Sequence, residues 1–318
     1  MERNTMTEQQ TINRQVADNE IDLRELFMIL WKGKWIIVSI TFLFAVGSVI
    51  YALSLPDIYA AEAKLAPTEE AQGRGSMGDM GGQLGGLANL AGLNMGANQI
   101  TPAMLAMEIL RSRKFIAGFV ERHDIAPELL AVEKWDKSSG ELLFNREIYN
   151  PDSKKWLREV SSPRQQEPTA WELVGAFRSH LSVESGEGSP LTVIRIEHRS
   201  PIVAKRWLDL LIEDINDEMR ERDIEEAQRS IEYIEKEMVN ATLRSTQQIF
   251  SGLMEKQTQT IMLANVRPEY IYRVVDPAVV PEQRAKPSRA LIAMVGTFLG
   301  GLLSLFVVLL LHVVKKQR

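Results

Sequence analysis

Eight carboxylates crowd one stretch of this sequence: Glu213, Asp214, Asp217, Glu218, Glu221, Asp223, Glu225 and Glu226, with arginines interleaved. Two such groups facing each other across a cleft can hydrolyse a glycosidic bond, one as acid and one as base or nucleophile. Here, however, they ride on one long helix, and mixed carboxylates and guanidiniums at that spacing read as a solvated helix face. There is no cysteine, which excludes thiolate nucleophiles, thiolate metal ligands and disulfides. Four scattered histidines leave little for a histidine-based metal site, and no serine or histidine motif suggests nucleophilic catalysis. Residues 73–100 hold nine glycines and no aromatic. No Gly-Lys-Ser/Thr follows them and no apolar strand feeds them directly, so they read as a flexible loop rather than a phosphate cradle. The sequence therefore offers no catalytic residue, no metal ligand and no cofactor site.

The elements that carry these residues are dominated by the two ends of the chain. Of 318 residues, 45% are apolar and 25% charged, an ordinary globular composition that argues against wholesale disorder. The net charge of −5 argues against a nucleic-acid binder, which needs a basic face to neutralise phosphates. Trp35 to Leu53 is a run of 19 residues without a charge, and Ala290 to Val314 a run of 25 in which His312 alone is ionisable. About 20 apolar residues in a helix cross the ~30 Å core of a bilayer, so both runs suffice. A cleaved signal peptide is the alternative for the first run, with Ala61-Glu62-Ala63 imitating a cleavage site; the 34 preceding residues and the length of the run argue for retention. Arg24, Lys32 and Lys34 precede the first run, and Lys315, Lys316 and Arg318 follow the second, which puts both ends in the cytoplasm. Arg284, Lys286 and Arg289 on the other flank weaken that inference without reversing it. The expected domains are a cytoplasmic tail with an interfacial helix (1–34), a span (35–53), one large extracytoplasmic domain (54–289), a span (290–314) and a cytoplasmic tail (315–318).

Polarity marks the first 20 residues as disordered. Asp22 and Glu25 have capping-box spacing, and Leu23, Leu26, Phe27, Leu30 and Trp31 share one face of the helix that follows, suited to a membrane surface or to the ragged start of the span. Tyr59, Ala61, Ala63 and Leu65 alternate as in a strand. Pro102 opens a helix running to about His123, Trp135 and Trp156 suit packing anchors, and Trp171 to His180 reads as a short helix. Residues 181–184 and 191–198 read as a hairpin. Ser200-Pro201 then starts a helix that meets no proline up to Ala264. Unbroken over 201–264 it would extend about 96 Å, too long for one compact core; a break near Asn240 or Gly252 is the alternative. Ile224, Ala227, Ile231, Ile234 and Met238 repeat at 3-4-3-4 spacing on it, a heptad seam that needs a helical partner from the same or a neighbouring subunit. Residues 270–276 return as a strand.

The remaining candidates are organisational. Pro277, Pro281 and Pro287 lack backbone donors, so the approach to Arg289 and the second span should be extended and stiff. Gly296 and Gly300, with Gly301 adjacent, form a Gly-x-x-x-Gly pair that permits close helix contact in lipid, with the first span, a neighbouring subunit or another membrane protein as partner. Glycine is also simply common in membrane helices.

Three stretches carry a resemblance: Ile21-Asp-Leu-Arg-Glu-Leu26 with Lys34-Trp35 and Tyr59-Ala-Ala-Glu-Ala-Lys-Leu65; Met262-Leu-Ala-Asn-Val-Arg-Pro-Glu-Tyr270; and Asp276-Pro-Ala-Val-Val-Pro-Glu282 followed by Lys286-Pro-Ser-Arg-Ala-Leu-Ile292. The sequence resembles the lipopolysaccharide O-antigen chain-length determinants, the class 1 polysaccharide co-polymerases, over about residues 21–65 and 262–305. The resemblance implies an α+β protein of the bacterial inner membrane, with two transmembrane helices flanking a periplasmic α/β base and a long, coiled-coil-like projecting helix. It implies homo-oligomers that set the modal length of O-antigen made by a separate integral-membrane polymerase, with lipid-linked polysaccharide as a further partner and no cofactor. These residues contain no kinase domain, Walker A sequence or tyrosine cluster, which sets them apart from capsular co-polymerases carrying a tyrosine autokinase. Alternative readings are a co-polymerase for enterobacterial common antigen, capsule or exopolysaccharide, and a membrane-anchored periplasmic sensor.

Overall fold

The computed structural model describes residues 23–69, 71, 101–162, 164–185, 190–240 and 243–316. The polar N-terminus with its Asp22 cap and the glycine-rich stretch lie outside these. The chain divides into two compact units, one of the described residues up to Pro56 and from Lys286 onward, the other of Asp57–Ala285. The class is α+β.

The first unit is three helices: α1 (Leu23–Lys32), α2 (Lys34–Ser54) and, from the far end of the chain, α9 (Arg289–Lys316). The N-terminal segment is thus a helix of its own rather than the start of the span. The chain turns at Gly33, which is buried; a Cβ there would lie 2.6 Å from Val308 Cγ1, so only glycine lets α9 seat at this corner.

The second unit is built on a four-stranded antiparallel sheet of order β6-β7-β1-β8, from β1 (Tyr59–Pro67), β6 (Leu181–Ser185), β7 (Thr192–His198) and β8 (Tyr272–Asp276). Tyr59, Ala61, Ala63 and Leu65 of β1 are buried, as are Thr192, Ile194, Ile196 and His198 of β7; the register pairs Ala61 with Ile196 and Ala63 with Ile194, so the two sets share one face. That face is covered by the first half of α7 (Pro201–Asn240), where Val203, Trp207, Leu208, Leu211, Ile215 and Met219 are buried at helical spacing. Around this core lie α3 (Pro102–Leu110), α4 (Arg113–Arg122), α5 (Ala126–Leu130) and α6 (Ala170–His180), with two small hairpins, β2 (Val132–Trp135) with β3 (Leu142–Phe144) and β4 (Tyr149–Asn150) with β5 (Lys155–Trp156). The single helix expected over 102–123 is two, because Ser112 caps a new one: its hydroxyl accepts from Phe115 N at 3.2 Å. Trp135 stands edge-on to Tyr59 at 5.5 Å and Trp156 packs on Tyr149 at 5.0 Å, both as packing anchors. A reciprocal Thr169–Glu172 capping box starts α6.

Two buried polar groups tie the core together. Asn216 accepts from the backbone N–H of Ile271 (2.9 Å) and Tyr272 (3.0 Å) and donates to Ile212 O, fastening β8 to α7. His198 lies 4.8 Å from the Trp207 ring, accepts from Ser200 N through Nδ1 at 3.0 Å and donates from Nε2 to Glu128 O at 3.1 Å. Those bonds fit only the neutral ring, and burial pushes its pKa from 6.5 down to about 4. Above about pH 6.5 the unfolded chain's histidine is neutral as well, and the contribution to stability is complete. As pH falls toward 4 the unfolded chain takes up a proton that the folded one refuses, so about 3 kcal/mol is lost. The thermal midpoint of the detergent-solubilised chain should therefore fall between neutral and mildly acidic pH. His198→Gln should lower the neutral-pH value and flatten that fall; equal falls in both proteins would mean that another group is responsible.

Candidate functional site

Near its middle, α7 leaves the core. Its second half pairs with α8 (Arg244–Val266), which returns beside it: Arg220 donates to Pro268 O at 2.8 Å, and the Tyr270 hydroxyl donates to Asp223 at 2.6 Å. The 201–264 stretch is thus two antiparallel arms rather than one rod, and α7 measures about 60 Å for its 40 residues. The heptad seam is the face that the arms share. Ala227 and Ile234 are buried and Ile224, Ile231 and Met238 half-buried, while most of the intervening positions are exposed. On α8 the covered positions Thr246, Phe250, Met254, Gln257, Ile261 and Ala264 answer at the same kind of spacing. Within the chain, the seam packs against α8.

The acidic stretch is not a uniform solvated face. Asp214 is 12% exposed and accepts from Arg122 at 2.6 Å and His123 at 3.1 Å, pinning α4 to α7. Asp217 holds Arg220 at 2.6 Å, Glu225 holds Arg229 at 3.4 Å, and burial raises the Asp223 carboxyl despite the Tyr270 hydrogen bond. Glu172, by contrast, is held below its usual value chiefly by the Arg158 hydrogen bond.

In the first unit, α9 runs antiparallel to α2 along a stripe of small residues. A Cβ on Gly296 would fall inside the Ser48 side chain and one on Gly300 inside that of Phe44, whereas Gly301 faces nothing within 4 Å. The Gly-x-x-x-Gly pair thus packs on the first apolar helix, one turn of α9 to one turn of α2. Ser304 continues the stripe, fully buried, its hydroxyl donating to Gly301 O at 2.6 Å. Arg289, the first residue of α9, donates through Nε to Ala52 O at 3.2 Å. Pro277, Pro281 and Pro287 lie in the non-helical stretch between β8 and α9, as their missing donors require. The structure thus separates the candidates into the glycine face, the proline connector and the seam. Sequence reasoning missed Asn216 and read Asp214 as one more solvated carboxylate; the signal for both was only a polar residue at a core-facing helical position.

Residues 19–122 match the family model described as chain length determinant protein, and residues 235–313 match that described as "G-rich domain on putative tyrosine kinase". Over its first third the chain is thus similar to the chain length determinant family. The first match covers the entry helices, β1, α3 and α4; the second covers the end of α7, all of α8, β8, the proline connector and most of α9. No curated protein sequence matches significantly. Similar solved structures include a full-length bacterial polysaccharide co-polymerase (13% identity over 94% of this chain and 99% of that one, TM-score 0.37). They also include a fragment of WzzB, the polysaccharide co-polymerase from Salmonella Typhimurium (14% identity over 73% of this chain and 100% of that one, TM-score 0.25).

The packing within the two units leads to two tests. The ideal Cβ of Gly33 is 3.4 Å from Val308 Cβ, close to disulfide geometry, and the sequence has no cysteine to interfere. Gly33→Cys with Val308→Cys should cross-link within one chain, and adding Gly296→Leu and Gly300→Leu should abolish the cross-link at unchanged protein level. A cross-link that survives shows that the glycines do not hold the pair. For the hairpin, Ile234→Asp puts a carboxylate where the side chain is 7% exposed and should cost about 3 kcal/mol or more, opening the arms to trypsin at Arg244 and Lys256. Val239→Asp, at an 86% exposed site, should leave the digestion pattern as in the wild type.

Proposed function

We propose that this chain regulates the modal length of lipopolysaccharide O-antigen as a homo-oligomeric inner-membrane co-polymerase, working with a separate integral-membrane polymerase and performing no chemistry of its own. The observation that carries this reading is the match of residues 19–122 to the chain length determinant model. Two helices long and apolar enough to cross a bilayer, Lys34–Ser54 and the α9 helix, support the membrane location. Their antiparallel packing supports a topology with both ends in the cytoplasm and residues 54–289 in the periplasm. The sequence flanks agree, since basic residues border both outer ends. The acidic side chains of α7 support a non-catalytic role, because those with the closest partners hold helices and hairpin together.

A second reading, length control of capsule or exopolysaccharide, is favoured by the match of residues 235–313 to a domain described on tyrosine kinases. One experiment separates them. Deleting the gene should collapse the modal cluster of the lipopolysaccharide gel ladder into an unregulated distribution, restored by the wild-type chain. An unchanged ladder with an altered second polymer selects the other reading, and no change in any surface polysaccharide overturns both. For topology, a phosphatase fused after Gly140 should be active and one fused after Arg318 inactive; activity at Arg318 refutes the arrangement.

A further inference from the structure

Where the hairpin meets the base, the chain encloses a groove of about 610 Å³, within the range of small-ligand sites. One wall is a single face of α7, with Asp209, Glu213, Asp217 and Arg220 three or four residues apart; the other is the return segment, with Asn265, Arg267 and Glu269. Arg220 is fixed in the middle, its guanidinium donating to Asp217 at 2.6 Å and to Pro268 O at 2.8 Å, while its Nε is buried without a partner among the described residues. Glu269 is held by Val274 N at 3.0 Å, and Asn216 closes the floor with its amide committed to the backbone of β8. Arg220, Glu269 and Asn216 are thus held in place, and between the polar groups Ile212, Val266, Pro268 and Val274 supply an apolar strip.

We propose that this groove binds a short segment of the growing glycan, and that the glycan is neutral or amine-bearing. The proposal rests on the length-control reading above. A pyranose has apolar C–H faces and a rim of hydroxyls, each both donor and acceptor. The groove offers carboxylates that accept, guanidiniums that donate, an amide that does both, and apolar surface between them. Four carboxylates against two guanidiniums make it net acidic, which repels uronic or phosphorylated repeats. A metal ion fits less well, since no group of three metal-ligating side chains converges among the described residues.

The test uses the full chain in detergent. The probe is short oligomers of the polymer whose length distribution the deletion strain alters, freed from lipid by mild acid, with oligogalacturonate as the acidic comparison. Saturation-transfer NMR and calorimetry should detect the first and not the second. Glu213→Gln should weaken binding roughly tenfold, the loss of one charge-assisted hydrogen bond. Glu213→Trp, at an exposed position that tolerates size, should abolish binding by filling the groove. An acidic native polymer, no binding by the wild type, or equal binding by all three proteins overturns the proposal. So does a change of oligomer size in the variants with binding intact, which would make the groove a protein interface. A chain that restores length control yet binds no oligomer overturns the groove alone; a deletion that alters no polymer overturns the functional reading with it.

Discussion

The second unit depends on the burial of the first half of α7 against the sheet. Trp207, Leu208, Leu211 and Ile215 are each fully buried there, at about 1.5–3 kcal/mol apiece for the larger side chains. Everything that extends from the base is a continuation of that helix, so the anchoring of the hairpin is the packing of the core. The face is narrow: β1 offers alanines at positions 61 and 63, and those small side chains let α7 approach closely enough for Trp207 to reach His198 and Phe177. Asn216 adds direction to an otherwise unspecific apolar contact. Without its amide, the N–H groups of Ile271 and Tyr272 would be buried unpaired, at about 1–3 kcal/mol each.

With α2 and α9 in a bilayer, as proposed above, the first unit cannot stand on the same force. In lipid the surroundings of an apolar helix are as apolar as its partner, so burial gives no net attraction and close packing must supply it. That is why glycines at positions 296 and 300 meet Ser48 and Phe44 there, whereas the core of the base is closed by large side chains. On that reading the glycines supply the close backbone contact that holds α2 to α9, whereas the base is held by apolar burial away from water.

Much of this was legible in the sequence wherever periodicity carried it. The uncharged runs, the alternation of β1, the hairpin strands β6 and β7, the capped start of α7 and the 3-4-3-4 seam are local patterns, and the structure forms the corresponding elements. What was not legible is non-local. No proline lies between the end of α7 at Asn240 and the start of α8 at Arg244, so the sequence allowed an unbroken rod as well as the break near Asn240 that the structure has. Ser112 looked like one more helix residue until its hydroxyl captured Phe115 N. The eight carboxylates looked alike in one dimension; only the fold distinguishes Asp214, a buried pin, from Glu213, exposed on the groove wall. The glycine pair announced close packing but not against what.

The elbow between base and hairpin shows why polar groups interrupt an otherwise apolar stripe. Between Met219 in the core and Ile224 at the start of the seam stand Arg220 and Asp223, bound to Pro268 and Tyr270 of the returning chain. Desolvation outweighs the hydrogen bond at Asp223, raising its carboxyl, so the residue is a poor stabiliser of the contact. An apolar residue there would extend the seam without a break, but a continuous heptad stripe lets two arms slip by a repeat at little cost. A carboxylate that meets one phenol, three residues from a guanidinium that meets one carbonyl, is satisfied in a single register. The register fixes where α8 ends and β8 begins, and with it the distance between the facing walls of the groove. Stability is supplied by the core below and the seam above, and the polar elbow, which contributes least to it, sets the geometry of the contact between them.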